Sequence, residues 1–335
     1  MIRLFDLRDL SVMRQLQSQC VGFDLRRLLL YSPSPMQSAL ADYFTLHSLG
    51  TITCVHRDAD HGGINGFVQI WPRAARNEWD LAFLSPSLDY HRNAAEIWHK
   101  LLTHLTKLAA QSGVLRIYAR SSEDAEAEDI FRQVGYTLIN REEVFVLPQQ
   151  VAPAPLPKGL RRITTQDRWA LNEFYRSVVP QLVQKAGGVF PYREGAHYGI
   201  LARPLSIREY VWTDKDTILA YLGLCSSSKG HWLEIVVRPE YRAETLPYIK
   251  YVLTLAPCSA SRPVYCSVPD FCVGLGWPLR NLGFEAYARQ VLMVIHTVAR
   301  APIRRPLVVP GLEGGHVIGP VRNSTQTGLP EQSAS

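Results

Sequence analysis

Residues Arg132-Gln-Val-Gly-Tyr-Thr-Leu-Ile-Asn-Arg-Glu-Glu-Val-Phe-Val-Leu147 run without a gap against Arg280-Asn-Leu-Gly-Phe-Glu-Ala-Tyr-Ala-Arg-Gln-Val-Leu-Met-Val-Ile295, at an offset of 148 residues. Arginine, glycine, an aromatic residue and a second arginine recur in step, followed by an apolar run of equal length. Solenoid repeats have periods of roughly 20–50 residues. An offset of this size is that of a whole domain, so the chain reads as two copies of one fold.

The surrounding sequence supports two units. The chain has 335 residues, and roughly 150 residues per domain predicts two. Between the copies lies Pro148-Gln-Gln-Val-Ala-Pro-Ala-Pro-Leu-Pro-Lys-Gly159, whose prolines favour an extended spacer. The expected division is residues 1–147, a Pro-rich linker 148–159, residues 160–298, and a Pro/Gly-rich tail 299–335 whose composition predicts disorder. Each copy shows apolar strand-length runs and a helix, Ala94–Gln111 in the first and Glu244–Leu255 in the second, then a further helical segment ending at a late glycine, Ser122–Val134 before Gly135 and a short one before Gly283. Runs of strands followed by single helices indicate an α+β unit with a mixed, mostly antiparallel sheet flanked by helices. After each late glycine, two short strands are expected to close the unit.

Composition narrows the function. Residues 1–148 carry 15 Lys/Arg against 17 Asp/Glu, and residues 149–335 carry 21 against 13. The basic second copy suits a polyanionic small molecule, but its cations are not clustered as a nucleic-acid footprint requires, so nucleic acid is not expected. No apolar run approaches the roughly 18 residues of a membrane span, and no membrane partner is expected. Cys20, Cys54, Cys225, Cys258, Cys266 and Cys272 form no CxxC pair, which fits a reduced, cytoplasmic setting. The His56-x-Asp58-x-Asp60-His61 stretch reads as a hairpin turn, and no metal site is expected.

The order of elements, the Trp232-Leu-Glu-Ile-Val-Val-Arg-Pro239-Glu-Tyr-Arg242 stretch, and the Val134-Gly135-Tyr136 and Leu282-Gly283-Phe284 steps together resemble the GNAT superfamily of acyl-CoA-dependent N-acyltransferases. The resemblance spans almost all of residues 1–298 as a tandem pair and allows an intramolecular pseudo-dimer. It implies acyl transfer from acetyl-CoA or another acyl-CoA to a small-molecule or protein amine; a non-catalytic ligand-sensing or interaction module is the alternative. In the family, a glycine-rich loop opens the cofactor helix and binds pyrophosphate through backbone N–H groups. The matching positions here read Arg242-Ala-Glu-Thr-Leu-Pro247 and Arg92-Asn-Ala-Ala-Glu-Ile97, keeping the arginine without the glycines. By this resemblance Val236, Val237, Arg238, Arg242 and Ala243 are the expected cofactor-binding residues, and the acceptor is expected near Pro180–Tyr198. Aligning Pro86 with Pro239 places Glu78 on His231; these two are the candidate general bases, with Glu234 and Asp80 as alternatives further along the strands. The position from which family members protonate the leaving thiolate is occupied by Phe131 and Leu279, neither of which can donate a proton. Tyr118 and Tyr265, at matching places on the preceding strand, are the possible substitutes.

Overall fold

The computed structural model describes residues 1–57, 65–73, 77–90, 92–187, 206–215 and 217–297. Residues 58–64, 188–205 and 298–335, which include the Asp58–His61 turn, most of the expected acceptor loop and the tail, lie outside the described residues.

The first copy runs β1 (Ile2–Leu4), α1 (Leu10–Leu16), β2 (Val21–Gly22), α2 (Leu25–Tyr31), α3 (Pro35–Phe44), β3 (Ile52–His56), β4 (Gly66–Pro72), β5 (Glu78–Ser85), α4 (Ala94–Gln111), β6 (Arg116–Ser122), α5 (Ala125–Val134) and β7 (Thr137–Leu147). The second runs β8 (Leu160–Arg162), α6 (Arg168–Val178), α7 (Gln181–Gly187), β9 (Ser206–Asp214), β10 (Thr217–Ser226), β11 (His231–Val237), α8 (Leu246–Thr254), β12 (Val264–Pro269), α9 (Gly276–Asn281) and β13 (Glu285–His296). Both copies are thus α+β, with mainly antiparallel ladders and one parallel pair each, β5·β6 and β11·β12.

Local chemistry repeats as well as order. Each copy opens on an arginine clamped to the aspartate that caps its first helix: Arg3 to Asp9 with both contacts at 2.8 Å, and Arg161 to Asp167 at 2.8 and 2.7 Å. Asp9 and Asp167 also accept from the backbone N–H groups of Asp6 and Thr164, closing the turn. At the far end, Gly135 (φ 109°) and Gly283 (φ 90°) stop the last helices in the left-handed conformation that glycine adopts without a Cβ clash.

The closing element of each copy is one long strand rather than two short ones, and it crosses between the copies. The central order is β5-β6-β13-β7-β12-β11. β13 lies between β6 and β7, and β7 lies between β13 and β12, so each copy's closing strand joins the parallel pair of the other. β7 and β13 pair antiparallel around an approximate two-fold axis. Each carries one extra residue, Ile139 and Tyr287, at positions 148 apart. Glu142 and Gln290, also 148 apart, face one another on the central rung. The bulges let strands of 11 and 12 residues twist through the join without a break.

Helices cover both faces. On one, α4 and α5 bury the core around Trp98, Leu101, Leu105 and Phe131, and α8 and α9 bury that around Ile249, Leu253 and Leu279. On the other, the copies again reach across. Leu30 of α2 packs on Val144, Cys225 and Trp232, with Tyr31 Oη 3.7 Å from Cys225 Sγ. Ala186 of α7 packs on Tyr118, Leu292 and Val294. The linker is anchored too: Val151 packs on the second core, and Gln150 Oε1 accepts from Cys258 N at 2.9 Å.

Candidate functional site

A cavity of about 180 Å³ opens on the second of these faces, above the six central strands. Side chains alternate across a strand, so one face collects every second residue: Glu78 and Asp80 from β5, Tyr118 and Arg120 from β6, Gln290 and Leu292 from β13, Asn140 and Glu142 from β7, Ser267 and Pro269 from β12, Trp232, Glu234 and Val236 from β11. Asp24 to Arg27 close one side, and Tyr175, Val179 and Val183 of the α6–α7 region close another.

Charge is densest on the first-copy side. Asp80 Oδ1 accepts from Arg73 Nε and Nη2 at 2.8 and 2.6 Å, and Oδ2 accepts from Arg27 Nη2 at 2.9 Å. Burial opposes ionisation of Asp80, but Arg73 and Arg27 outweigh it and hold the carboxyl down at about 2. Arg73 also lies 3.7 Å from the centre of the Tyr118 ring. Glu78 Oε1 accepts from Arg116 at 3.1 Å. Asp80 is held on both oxygens, whereas Glu78 Oε2 accepts no hydrogen bond among the described residues and faces Arg73 at 3.8 Å.

On the second-copy side the acid on β11 is Glu234. Glu234 faces Arg26 at 3.8 Å, beyond hydrogen-bond range, and its Oε2 has no hydrogen-bond partner among the described residues. Burial raises its pKa above the ordinary carboxylate range; Arg26 and Arg120 offset part of the shift, while Glu142 and Glu209 add to it. On the floor, Gln290 Nε2 donates to Glu142 Oε2 at 2.8 Å and Asn140 Nδ2 donates to Glu142 Oε1 at 3.2 Å.

Next to the cavity, each parallel pair divides. β5 and β6 pair through Glu78↔Arg116, Trp79↔Ile117 and Asp80↔Tyr118 and then separate. That gap is filled by the chain itself: Phe23 N donates to Ala82 O at 2.8 Å and Asp24 N to Arg120 O at 3.0 Å. The Phe23 ring, fully buried, packs against Trp98 and Phe131 with centroids 6.1 and 5.8 Å away. β11 and β12 pair through His231↔Val264, Trp232↔Tyr265 and Leu233↔Cys266 and separate likewise. There the corresponding turn after the first helix is Val179-Pro180. Val179 N donates back to Tyr175 O at 2.9 Å, and proline has no N–H to give. Beyond Leu233 the β11 edge has no ladder partner on this side among the described residues, and the cavity reaches it at Val236 and Phe271.

The sequence candidates fall in different places. Glu78, Asp80, Glu234 and Val236 line the cavity; His231 does not. His231 is fully buried at the start of β11, its Nδ1 2.8 Å from Ser226 Oγ, and burial lowers its pKa with help from nearby Arg262. The ladders relate the copies one residue differently from the Pro86–Pro239 alignment. His231 lies opposite Val264 as Trp79 lies opposite Ile117, and Val264 and Ile117 pair with Leu147 and Ile295, themselves 148 apart. His231 is therefore the counterpart of Trp79, and a shift of one residue moves a side chain to the opposite face. Val237 is buried in the helix-covered core. Arg238 donates through Nε to Ile218 O at 2.9 Å. Arg242 spans two carbonyls, Val273 O at 2.6 Å and Phe271 O at 3.0 Å, fixing the segment after β12, and Ala243 starts the turn leading to α8. Tyr118 donates to Ala186 O, Tyr265 packs edge-on against Tyr287, and burial raises the pKa of both tyrosines. Cys272 reaches the cavity, but burial pushes its thiol up to about 11. No group of three or more potential metal ligands occurs among the described residues, and no helix among them is long and apolar enough to cross a membrane.

Arg27, Arg120, Asn140, Glu142 and Gln290 were not singled out from sequence. The pairing of Arg3…Asp9 with Arg161…Asp167 was a second legible repeat, and it would have aligned the segments carrying α2 and α7.

No family model and no curated protein matches the sequence. Solved structures similar to this chain include a GCN5-related N-acetyltransferase from Sphaerobacter thermophilus, at 14% identity and a TM-score of 0.48, covering 88% of this chain and 95% of that one. A tandem GNAT protein from the clavulanic acid biosynthesis pathway is similar at 15% identity and a TM-score of 0.48, covering 88% and 98%. An acetyltransferase of the GNAT family from Colwellia psychrerythraea is similar at 10% identity and a TM-score of 0.42, covering 89% and 99%.

Proposed function

We propose that the protein transfers an acyl group from acyl-CoA to an amine, with the donor at the divided β11·β12 pair and the acceptor in the cavity over the join. The observation that carries this reading is Glu234: a largely buried carboxyl with a raised pKa, on the cavity face of β11, beside the one strand division its own chain does not fill among the described residues. A raised pKa makes a carboxylate a stronger base, suited to an amine losing its proton as it attacks. The nitrogen lone pair forms the new bond to the thioester carbonyl carbon, and Glu234 takes the proton from nitrogen. The carbon–sulfur bond breaks with its electrons going to sulfur, and the thiolate takes a proton from solvent. The N–H of Val237, which alternation along β11 turns away from β10 and toward the divided edge, would polarise the thioester carbonyl. The Arg238–Ala243 turn would face the pyrophosphate, with Arg242 acting through the backbone segment it holds. His231, walled off from the cavity, has no part in this scheme, and Glu78 holds Arg116.

The test is an acceptor screen with acetyl-CoA, following free thiol. Glu234→Gln is expected to reduce turnover about 10²–10⁴-fold, the range for a positioned acid–base group, with little change in coenzyme A affinity. No turnover with any amine, or turnover that survives Glu234→Gln, overturns the reading.

A further inference from the structure

Resting on that reading, we propose that the acceptor in this cavity is an amino carboxylate, a compact amine that carries its own carboxylate on a branched apolar frame. The cavity's charges are separated in a way a simple amine would not use. Asp80, Glu78 and Asp24 are matched by Arg73, Arg27 and Arg116. Arg120 lines the cavity half-buried, and its side chain has no hydrogen bond or ion pair among the described residues. Its positive charge acts on both Asp80 and Glu234, which places it between the two walls. Arg27 is 6% exposed; Nε and Nη2 are taken by Asp24 and Asp80, while Nη1 has no partner among the described residues. Two guanidiniums with unused donors form a site for a carboxylate.

The floor has the opposite character. The Glu142 carboxylate only accepts, so it draws the amide NH₂ groups of Asn140 and Gln290 toward itself and leaves Asn140 Oδ1 and Gln290 Oε1 without partners. These residues are 5% and 4% exposed. With Glu234 Oε2 they make an acceptor-rich surface that suits an ammonium group. The remaining wall, Tyr175, Val179, Val183 and Phe271, is mainly apolar. A volume of 180 Å³ is more than ten times the roughly 10–15 Å³ that a single water requires by the same measure. That is room for a free amino acid and the acyl group it receives, and too little for a folded peptide.

The experiment is calorimetric titration of the whole chain, without coenzyme A, using leucine, leucinamide, isopentylamine (leucine without its carboxylate) and 4-methylpentanoate (leucine without its amine). Leucine is expected to bind about tenfold or more tightly than the other three, the scale of one charge-assisted contact on a buried group. Arg120→Gln is expected to abolish that preference over isopentylamine, with an unchanged urea-unfolding transition showing that the variant is folded. Failure of leucine to bind, isopentylamine binding as tightly as leucine, or a leucine preference that survives Arg120→Gln each overturns the proposal. The two readings fail separately. Carboxylate-dependent binding of leucine with no acyl transfer sinks the proposed function and leaves the ligand class standing, whereas faster acylation of isopentylamine than of leucine does the reverse.

Discussion

Replacing Asp80 by asparagine tests the electrostatic core of the site. The carboxylate joins two buried guanidiniums through contacts of 2.6 to 2.9 Å, and the amide keeps its shape while removing its charge. Breaking a buried, hydrogen-bonded ion pair costs about 3–5 kcal/mol, because the partner charge stays buried. Part of this is linked to pH. The carboxyl is held at about 2 against a reference of 3.8, which at about 1.4 kcal/mol per pKa unit corresponds to about 2 kcal/mol. The folded value lies below the unfolded one, so the contribution is complete above the unfolded pKa and is lost as pH falls through the folded one. Urea unfolding of wild type and Asp80→Asn should therefore show a constant gap from neutral pH to about pH 5. The gap should narrow by about 2 kcal/mol on approaching pH 2, where other titrations cancel between the two proteins. A gap that does not narrow, or one below about 1 kcal/mol at neutral pH, the scale of an exposed pair, would refute the reasoning.

Glu234 should behave with the opposite sign: its folded pKa is raised by burial, so Glu234→Gln should stabilise the fold at alkaline pH. The gain should vanish in urea titrations as pH falls and the carboxyl protonates. Phe23→Ala should cost about 3–5 kcal/mol in denaturant unfolding, as for other core aromatics. The wild-type chain should bind one coenzyme A by calorimetry, because Phe23 and Asp24 occupy the first strand division; a stoichiometry of two would contradict this. Residues 1–159 alone should give no stable monomer by hydrogen exchange, since β6 and β7 would be left on either side of the slot that β13 fills.

The sequence carried the duplication because closing strands are read locally. A left-handed glycine after a helix and an alternating run of fixed length keep their spacing in both copies, and the echo from Arg132 to Leu147 shows it. What it did not carry was the destination of those strands. An apolar run has the same pattern whichever parallel pair it joins, so exchange of β7 and β13 leaves no mark on periodicity. The site was hidden for a related reason. Glu234 is two residues from Trp232 on an ordinary strand, and its raised pKa comes from burial under α2 and the α6–α7 region, one from each copy. His231 drew attention as an imidazole near the right turn, yet the period of two places it on the helix-covered face, and only the ladder register distinguishes that face from the cavity.

The approximate axis explains why such a site needs both copies in one chain. Two identical closing strands crossing at a two-fold axis would put Glu142 opposite Glu142, two partly buried carboxylates on one rung, and like charges facing directly across a ladder are destabilising. A single chain is free of that constraint, since the axis relates position 142 to position 290 and these hold different residues. Here one is glutamate and the other glutamine, and the conflict becomes a 2.8 Å hydrogen bond. The same freedom lets Phe23 and Asp24 close one strand division while Val179 and Pro180 leave the other unfilled among the described residues. The asymmetry therefore runs in one direction across the cavity, from the Asp80 carboxylate of the first copy, held by two guanidiniums, to Glu234 of the second, which has Arg26 at 3.8 Å and no hydrogen bond to Oε2 among the described residues. A two-fold symmetric pair would give both sides the same charge, and it could not offer a carboxylate site on one wall and an amine site on the other.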